Sequence, residues 1–140
     1  MHTARTRETK AVQANGSFEV KLEPQPPAPG IAEAGLGRMH IDKQYRGDLD
    51  ARGLGEMLGF RSETPGSAGY VAMERVSGTL HGRRGSFVLQ HSGTMDRGTS
   101  SQSVTVVADS GTGELRGLSG VMVIRIENGQ HFYAFDYALP

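Results

Sequence analysis

The chain has no cysteine and no tryptophan, and neither sign of charge is in excess, because 15 lysines and arginines balance 15 aspartates and glutamates. Without cysteine there are no disulfides, no thiolate metal ligands and no cysteine nucleophile. Balanced charge provides no overall field that attracts nucleic acid or an anionic membrane. No hydrophobic run reaches the length of a membrane span, and residues 1–16 lack the apolar segment of a signal peptide. We therefore expect a cytoplasmic protein with no nucleic-acid or membrane partner.

Glycine is abundant instead, with 20 among 140 residues, and stretches of good helix formers are scarce. This composition is typical of short strands separated by turns. The length suits one domain. Residues 1–14 are polar and basic without periodicity, which predicts a disordered N-terminal arm, so residues 15–140 form the single domain.

Alternation of apolar and polar residues predicts most of the strands. The alternating runs lie at residues 15–22, 36–49, 54–62, 70–80, 85–95 and 100–108. Bends are expected at residues 62–69 and 82–85, and a glycine-rich loop at residues 109–120. An antiparallel sheet this small must hide its edges, so we expect an all-β fold, a closed antiparallel β-barrel of about eight strands, in preference to a sandwich.

The two alternating runs at the C-terminus flank the dipeptide Asn128-Gly129. Asn-Gly favours a two-residue type I′ turn, because both residues of that turn take positive φ angles. The turn would place Glu127 opposite Gln130. Counting outwards from it also places Val121 opposite Asp136.

Pairing the central strands across the two expected bends separates their side chains into two faces. One face gathers the polar residues Glu56, Tyr70, Glu74, Gln90 and Ser92. The other face carries Met57, Val71, Met73, Phe87, Leu89, His91, Val104 and Val106. A single bulge would exchange the faces and bring His91 to the glutamates.

These polar residues are the candidates for chemistry. Desolvation and a second nearby carboxylate raise the pKa of a carboxyl group, which is how enzymes obtain an acid and a base from one residue type. On a solvent-facing surface the same glutamates need no function. His91 is either a general base or a core histidine held by one backbone hydrogen bond, and Asp136 faces either the lumen or the outside. The candidate catalytic residues are Glu74, Glu56 and His91, and the candidate ligand-binding residues are Tyr70, Gln90, Ser92, Asp136 and Tyr137.

No motif indicates a metal or a cofactor. No two histidines combine metal-ligand spacing on one strand face with a nearby carboxylate. The segment "GTGELRGLSG" has the glycines of a phosphate loop but lacks the lysine and the serine or threonine that follow it. No Gly-x-Ser-x-Gly elbow of a serine hydrolase occurs. We therefore expect neither a bound metal nor a cofactor.

The segments "YVAMERVSGTLHGRRGSFVLQHSGTM" and "VVADSGTGELRGLSG", with the closing "FDYAL", resemble the bacterial DUF3224 family of small proteins whose function is undefined. "NGSFEVKLEPQP" is similar to the opening strand and proline-rich connector of that family. The resemblance runs from about residue 14 to the end. It implies a small barrel similar to that of allene oxide cyclase, often an oligomer, with a lumen that binds apolar small molecules. It also implies that Glu74, Gln90 and His91 line the lumen, although fold analogy alone does not establish an activity.

Three functions are consistent with these features. The first is a barrel that binds an apolar small molecule, with Glu56, Glu74, Gln90 and Tyr70 as polar anchors and Glu74 transferring a proton in an isomerisation or cyclisation. The second is a hydrolase in which two carboxylates, such as Glu56 and Glu74, share a proton and activate water. The third is a non-catalytic barrel that forms a homo-oligomer through charged residues of the strand at residues 36–49.

Overall fold

A computed structural model describes residues 11–140 as a closed barrel of eight antiparallel strands. The strands are β1 (Val12–Gln25), β2 (Gly37–Gly47), β3 (Leu49–Arg61), β4 (Ala68–Leu80), β5 (Arg83–Asp96), β6 (Thr99–Val106), β7 (Ser119–Glu127) and β8 (Gln130–Ala138). Each strand pairs with the next in the chain, and β1 pairs with β8 to close the barrel. The expected all-β closed antiparallel barrel is confirmed. Two single-turn 3₁₀ helices, Ala32–Ala34 and Gly113–Leu115, occur in loops, and no helix within residues 11–140 has the length and apolar character of a membrane span.

Alternate residues of the strands point inwards and form the core. Along β4, for example, Ala72, Glu74 and Val76 are buried while the residues between them are exposed. The end of the barrel with the β4–β5 turn, called the lower end here, is covered by the β6–β7 loop, whose Leu115 and Leu118 are buried. The opposite, upper end carries the β3–β4 loop. Large apolar side chains that fill the core include Leu49, Leu80, Phe87, Leu89, Val104, Met122 and Phe135.

A tight corner separates β2 from β3. The run expected as one strand over residues 36–49 breaks there, since β2 ends at Gly47 and β3 begins at Leu49. Gly47 has a φ of +107°, a conformation that favours glycine. The Tyr133 hydroxyl holds the corner by accepting a hydrogen bond from Leu49 N (2.9 Å) and donating one to Arg46 O (3.0 Å). The prediction of a single strand is wrong. Apolar residues keep the same alternation on both sides of the corner, so the sequence pattern does not reveal the break.

Three hairpins use two-residue turns in which both residues have positive φ: His81-Gly82, Arg97-Gly98 and Asn128-Gly129. The expected register of the last hairpin is confirmed, with Glu127 opposite Gln130 and Val121 opposite Asp136. The bend expected at residues 82–85 is wrong. The chain turns at His81-Gly82 instead, and both arginines that follow belong to β5.

Some strand limits also differ from the expectation. β1 begins at Val12, within the arm expected over residues 1–14, and β3 begins at Leu49 instead of residue 54. Residues 1–10 of the expected arm lie outside the described residues. The loop expected at residues 109–120 is present and contains the second 3₁₀ turn.

The wall of the barrel has one weak seam. β6 and β7 meet at a single bridged pair, Thr105 with Val121. The other neighbouring strands stay in register over seven or more positions, as β1 and β8 do from Val12 to Phe18. Fewer backbone hydrogen bonds therefore join β6 to β7 than join any other neighbours within residues 11–140.

The Arg97-Gly98 turn generates a stability prediction. Arg97 has a φ of +47°, which costs free energy for a residue with a long side chain and less for asparagine. We expect Arg97→Asn to raise the free energy of unfolding by about 0.5 kcal/mol. Urea denaturation measures this change.

Arg116→Asn is the matched control, since Arg116 is also exposed but has an extended backbone with φ −61°. It should leave the free energy of unfolding unchanged within about 0.3 kcal/mol. An Arg97→Asn protein no more stable than this control would contradict the prediction.

Candidate functional site

A buried carboxylate lies near the middle of the barrel and accepts three hydrogen bonds. Glu74 is fully buried (0% exposed) on the inner face of β4. Its Oε1 accepts from Lys43 Nζ (3.0 Å) and from His91 Nε2 (2.8 Å), and its Oε2 accepts from the Tyr45 hydroxyl (2.6 Å). Every polar side-chain atom within residues 11–140 that is completely shielded from solvent has a hydrogen-bond partner. We call Lys43, Tyr45, Glu74 and His91 the Glu74 cluster.

The strand pattern explains why these side chains meet. Lys43 and Tyr45 are two residues apart on β2, so both point into the lumen. On β3, which lies between β2 and β4, position 53 is glycine, and a Cβ atom there would lie 1.9 Å from Glu74 Oε2. Glycine at this position therefore leaves the space that the carboxylate occupies.

Opposing effects act on the protonation of Glu74. Burial favours the neutral carboxyl group, but the hydrogen bond from His91, the charge of Lys43 and the hydrogen bond from Tyr45 together outweigh it, so the pKa of Glu74 lies below its ordinary value. Burial and the neighbouring Glu74 carboxylate raise the pKa of Tyr45 well above its ordinary value. Glu74 is thus an anion and Tyr45 a neutral hydrogen-bond donor at neutral pH.

The hydrogen bond to Glu74 determines which ring nitrogen of His91 is basic. A carboxylate only accepts, so the proton in this bond belongs to Nε2. In the neutral imidazole Nδ1 then carries the lone pair. Within residues 11–140 the bond to Glu74 is the only side-chain hydrogen bond of His91, which leaves Nδ1 without a protein partner there.

Half-buried residues line one half of the barrel above the cluster. Val20, Met39, Met57 and Tyr70 are on the inward-facing positions of β1 to β4 towards the upper end, and we call them the mouth collar. The Tyr70 ring packs on Gly93, where a Cβ atom would lie 2.2 Å from Cε1 of the ring. On the β1–β4 side, a mostly apolar rim thus stands above the charged cluster.

The structure divides the expected site residues between several places. Glu74, His91 and Tyr70 face inwards, and the first two are in direct contact. Tyr137 is buried near the lower end, away from the cluster, where its hydroxyl bonds His81 Nδ1. Glu56, Gln90 and Ser92 point outwards, as does Asp136, which accepts a hydrogen bond from Gln13.

The expectation that Glu56, Tyr70, Glu74, Gln90 and Ser92 share one face is therefore wrong. The register is offset by an odd number of residues at both bends, and an odd offset moves every side chain to the other face. Glu74 lies opposite Gly55 and Leu89, not opposite Leu58 and Ser92. This register is also what brings His91 to Glu74.

The two glutamates expected to share a proton lie on opposite sides of the wall. Glu56 is on the outer surface, where Arg38 binds it with NH2 to Oε1 at 2.6 Å. The hydrogen bond from Arg38 holds the pKa of Glu56 below its ordinary value, although partial desolvation opposes it. Asp136 is also outside the lumen. Within residues 11–140 no three histidine, aspartate or glutamate side chains converge as metal ligands.

Two residues of the cluster, Tyr45 and Lys43, are not among the candidates from the sequence, and Lys43 is the one with a recognisable signal. It stands between Ile41 and Tyr45 on the apolar parity of its strand, where a lysine breaks the pattern. A charged residue on a core parity is a signal that a buried partner exists. Its ammonium group also lies 4.8 Å from the centre of the Phe18 ring, a cation–π contact.

The Lys43–Glu74 ion pair generates a double-mutant prediction. Lys43→Met and Glu74→Gln should each lower the free energy of unfolding by about 3 kcal/mol, because each leaves a buried charge without its partner. The double variant should be destabilised by clearly less than the sum of the two losses. Urea denaturation of the four proteins gives the coupling energy, and additive losses would contradict a direct pair.

The lowered pKa of Glu74 predicts a loss of stability in acid. A depressed folded-state pKa stabilises the fold above the unfolded pKa of about 4.3, and this contribution is lost as the pH falls through the lower folded value. The gap in unfolding free energy between the wild type and Glu74→Gln should therefore narrow from about pH 6 to about pH 3. Glu56→Gln, at an exposed glutamate, is the control. Its free energy of unfolding should differ little from that of the wild type over the same pH range. A constant gap for Glu74→Gln would contradict the assignment.

Comparison with known proteins identifies the family. The family model described as "Protein of unknown function (DUF3224)" matches residues 14–137. A crystal structure of a protein of unknown function from the DUF3224 family of Shewanella oneidensis MR-1 is 50% identical, with a TM-score of 0.87 over 94% of this chain and 98% of that chain. Comparison with functionally curated proteins gives no match. This chain, which forms an eight-stranded barrel around a buried glutamate, therefore belongs to the DUF3224 family.

Proposed function

We propose that this barrel binds an amphiphilic small molecule through its upper mouth and that the Glu74 cluster acts on the bound molecule by proton transfer. The observation that carries the proposal is the Lys43–Glu74–His91 contact inside an otherwise apolar barrel. A buried ion pair stabilises a fold less than well-packed apolar residues of the same volume would. Clusters of buried, mutually perturbed ionisable groups are typical of functional sites.

The layers around the cluster suggest the chemistry of the ligand. The mouth collar supplies apolar contacts from Val20, Met39 and Met57. Below it, Lys43 has three N–H donors, and its bond to Glu74 and weak contact with the Tyr45 hydroxyl (3.5 Å) use two of them. The ammonium group also lies 4.8 Å from the centre of the Phe18 ring, so a ligand group that accepts the third hydrogen bond would lie beside this ring. An apolar body with one hydrogen-bond-accepting group matches these layers.

The same geometry supports the following proton-transfer roles. His91 is the group that exchanges a proton with the ligand, because Nδ1 carries its free lone pair. Glu74 is a positioning residue that fixes the tautomer of His91 and stabilises the imidazolium form. Lys43 stabilises negative charge that develops on the accepting group of the ligand. The reaction class is abstraction and return of a proton, as in an isomerisation or a cyclisation.

Titration with the fluorescent dye 8-anilinonaphthalene-1-sulfonate tests the binding site, because the dye joins an apolar body to an anionic group. Met57→Trp fills the mouth and should weaken dye binding at least about tenfold. The double variant Lys43→Met/Glu74→Gln removes both charges of the ion pair. It should weaken dye binding by about tenfold, the value of one charge-assisted hydrogen bond.

Val123→Trp is the matched control, since Val123 is an exposed apolar residue on the outer face of β7. It should bind the dye as the wild type does, and circular dichroism should show that all variants are folded. Dye binding that Met57→Trp leaves unchanged, or a wild type without saturable binding, would overturn the proposal.

A further inference from the structure

Large apolar side chains gather on the outside of the barrel at the upper ends of β3 and β4. Leu58, Val71 and Met73 are 41%, 55% and 50% exposed. Leu58 lies directly opposite Val71, so their side chains are in contact range on the outer surface. Scattered exposed apolar residues are normal, whereas a contiguous group marks an interaction site. We call Leu54, Leu58, Phe60, Val71 and Met73 the β3–β4 patch.

The patch carries one charge of each sign beside a groove. A groove of about 490 Å³ lies on it, bordered by Leu58, Val71 and Met73. Arg38 and Glu56 also line this groove and form an ion pair with both side chains partly exposed. The patch therefore presents apolar surface beside a neutral pair of charges.

We propose that the β3–β4 patch binds the same patch of a second copy of this chain about a two-fold axis. In such a contact each surface meets itself, so a patch with charges of one sign would repel its own copy. Here Arg38 and Glu56 are adjacent and opposite in sign, and a two-fold axis between the copies brings Arg38 of each to Glu56 of the other. The patch is thus complementary to itself in both charge and apolar character.

The distribution of exposed apolar residues on the outer surface supports this choice of face. The third expectation from the sequence placed intersubunit ion pairs along the strand at residues 36–49. Ion pairs within the chain occur on both faces, since Asp42 binds Arg52 (3.0 Å) and Arg46 lies near Glu19 (3.6 Å), just as Arg38 binds Glu56, so charge does not separate the two faces. The outer face there is polar and lacks exposed large apolar side chains, unlike the β3–β4 patch.

Complementary charge variants test the contact. Arg38→Glu gives the patch two negative charges, and Glu56→Arg gives it two positive charges. Light scattering after size exclusion, at about 50 μM protein, should show a dimeric wild type, monomers for each variant alone and dimers when the two variants are mixed in equal amounts. Recovery on mixing also shows that both variants are folded.

Two further variants locate the interface. Val71→Glu in the patch should give a monomer, whereas Val123→Glu, at an equally exposed apolar position on β7, should remain dimeric. A monomeric wild type would overturn the proposal and leave the patch to another occupant. Dissociation by Val123→Glu but not by Val71→Glu would overturn it by placing the contact elsewhere. None of these outcomes depends on the ligand site inside the barrel.

Discussion

The ion pair between Lys43 and Glu74 constrains the middle of this barrel. A carboxylate in an apolar interior is tolerated only when donors compensate for its lost hydration, and Glu74 has three. Each donor comes from a strand whose register must be correct to within one residue. The hydrogen bonds of Glu74 therefore constrain the register of β2, β4 and β5 relative to one another. They also require glycine at position 53 of β3. A packed apolar core alone would tolerate more variation.

Much of the architecture is visible in the sequence, because alternation and turn residues are local signals. The β7–β8 hairpin follows from Asn128-Gly129, and the barrel follows from several short strands without crossover helices. His81-Gly82 and Arg97-Gly98 form the same kind of turn, but their first residue is histidine or arginine instead of the asparagine or aspartate that is usual there. Their sequences therefore do not predict the turn. Displacing one such turn changes which residues share a face.

The candidate site shows the same limit. Glu74, His91 and Tyr70 could be selected as unusual residues of their strands, but the contact of Glu74 with His91 depends on a register that local patterns do not determine. Lys43 and Tyr45 are distant in sequence from Glu74 and become its partners only when β3 pairs with both β2 and β4. Glu56 is a glutamate in a similar apolar context, yet it faces outwards and binds Arg38. Sequence thus identifies polar residues more readily than it identifies their partners.

The single bridge between β6 and β7 makes this seam the place where the barrel would open most easily. The hydrogen-bonded sheet runs continuously from β7 through β8 and β1 to β6, so its two edges meet at Thr105 and Val121. Breaking one bridge would convert the closed cylinder into an open, curved sheet whose circumference is free to grow. The inward residues at that seam, Val104 and Met122, are apolar, so the widened gap would expose a hydrophobic slot in the side wall. Opening the barrel at this seam would therefore break the fewest backbone hydrogen bonds and leave the register of the opposite strands β2 and β3 intact.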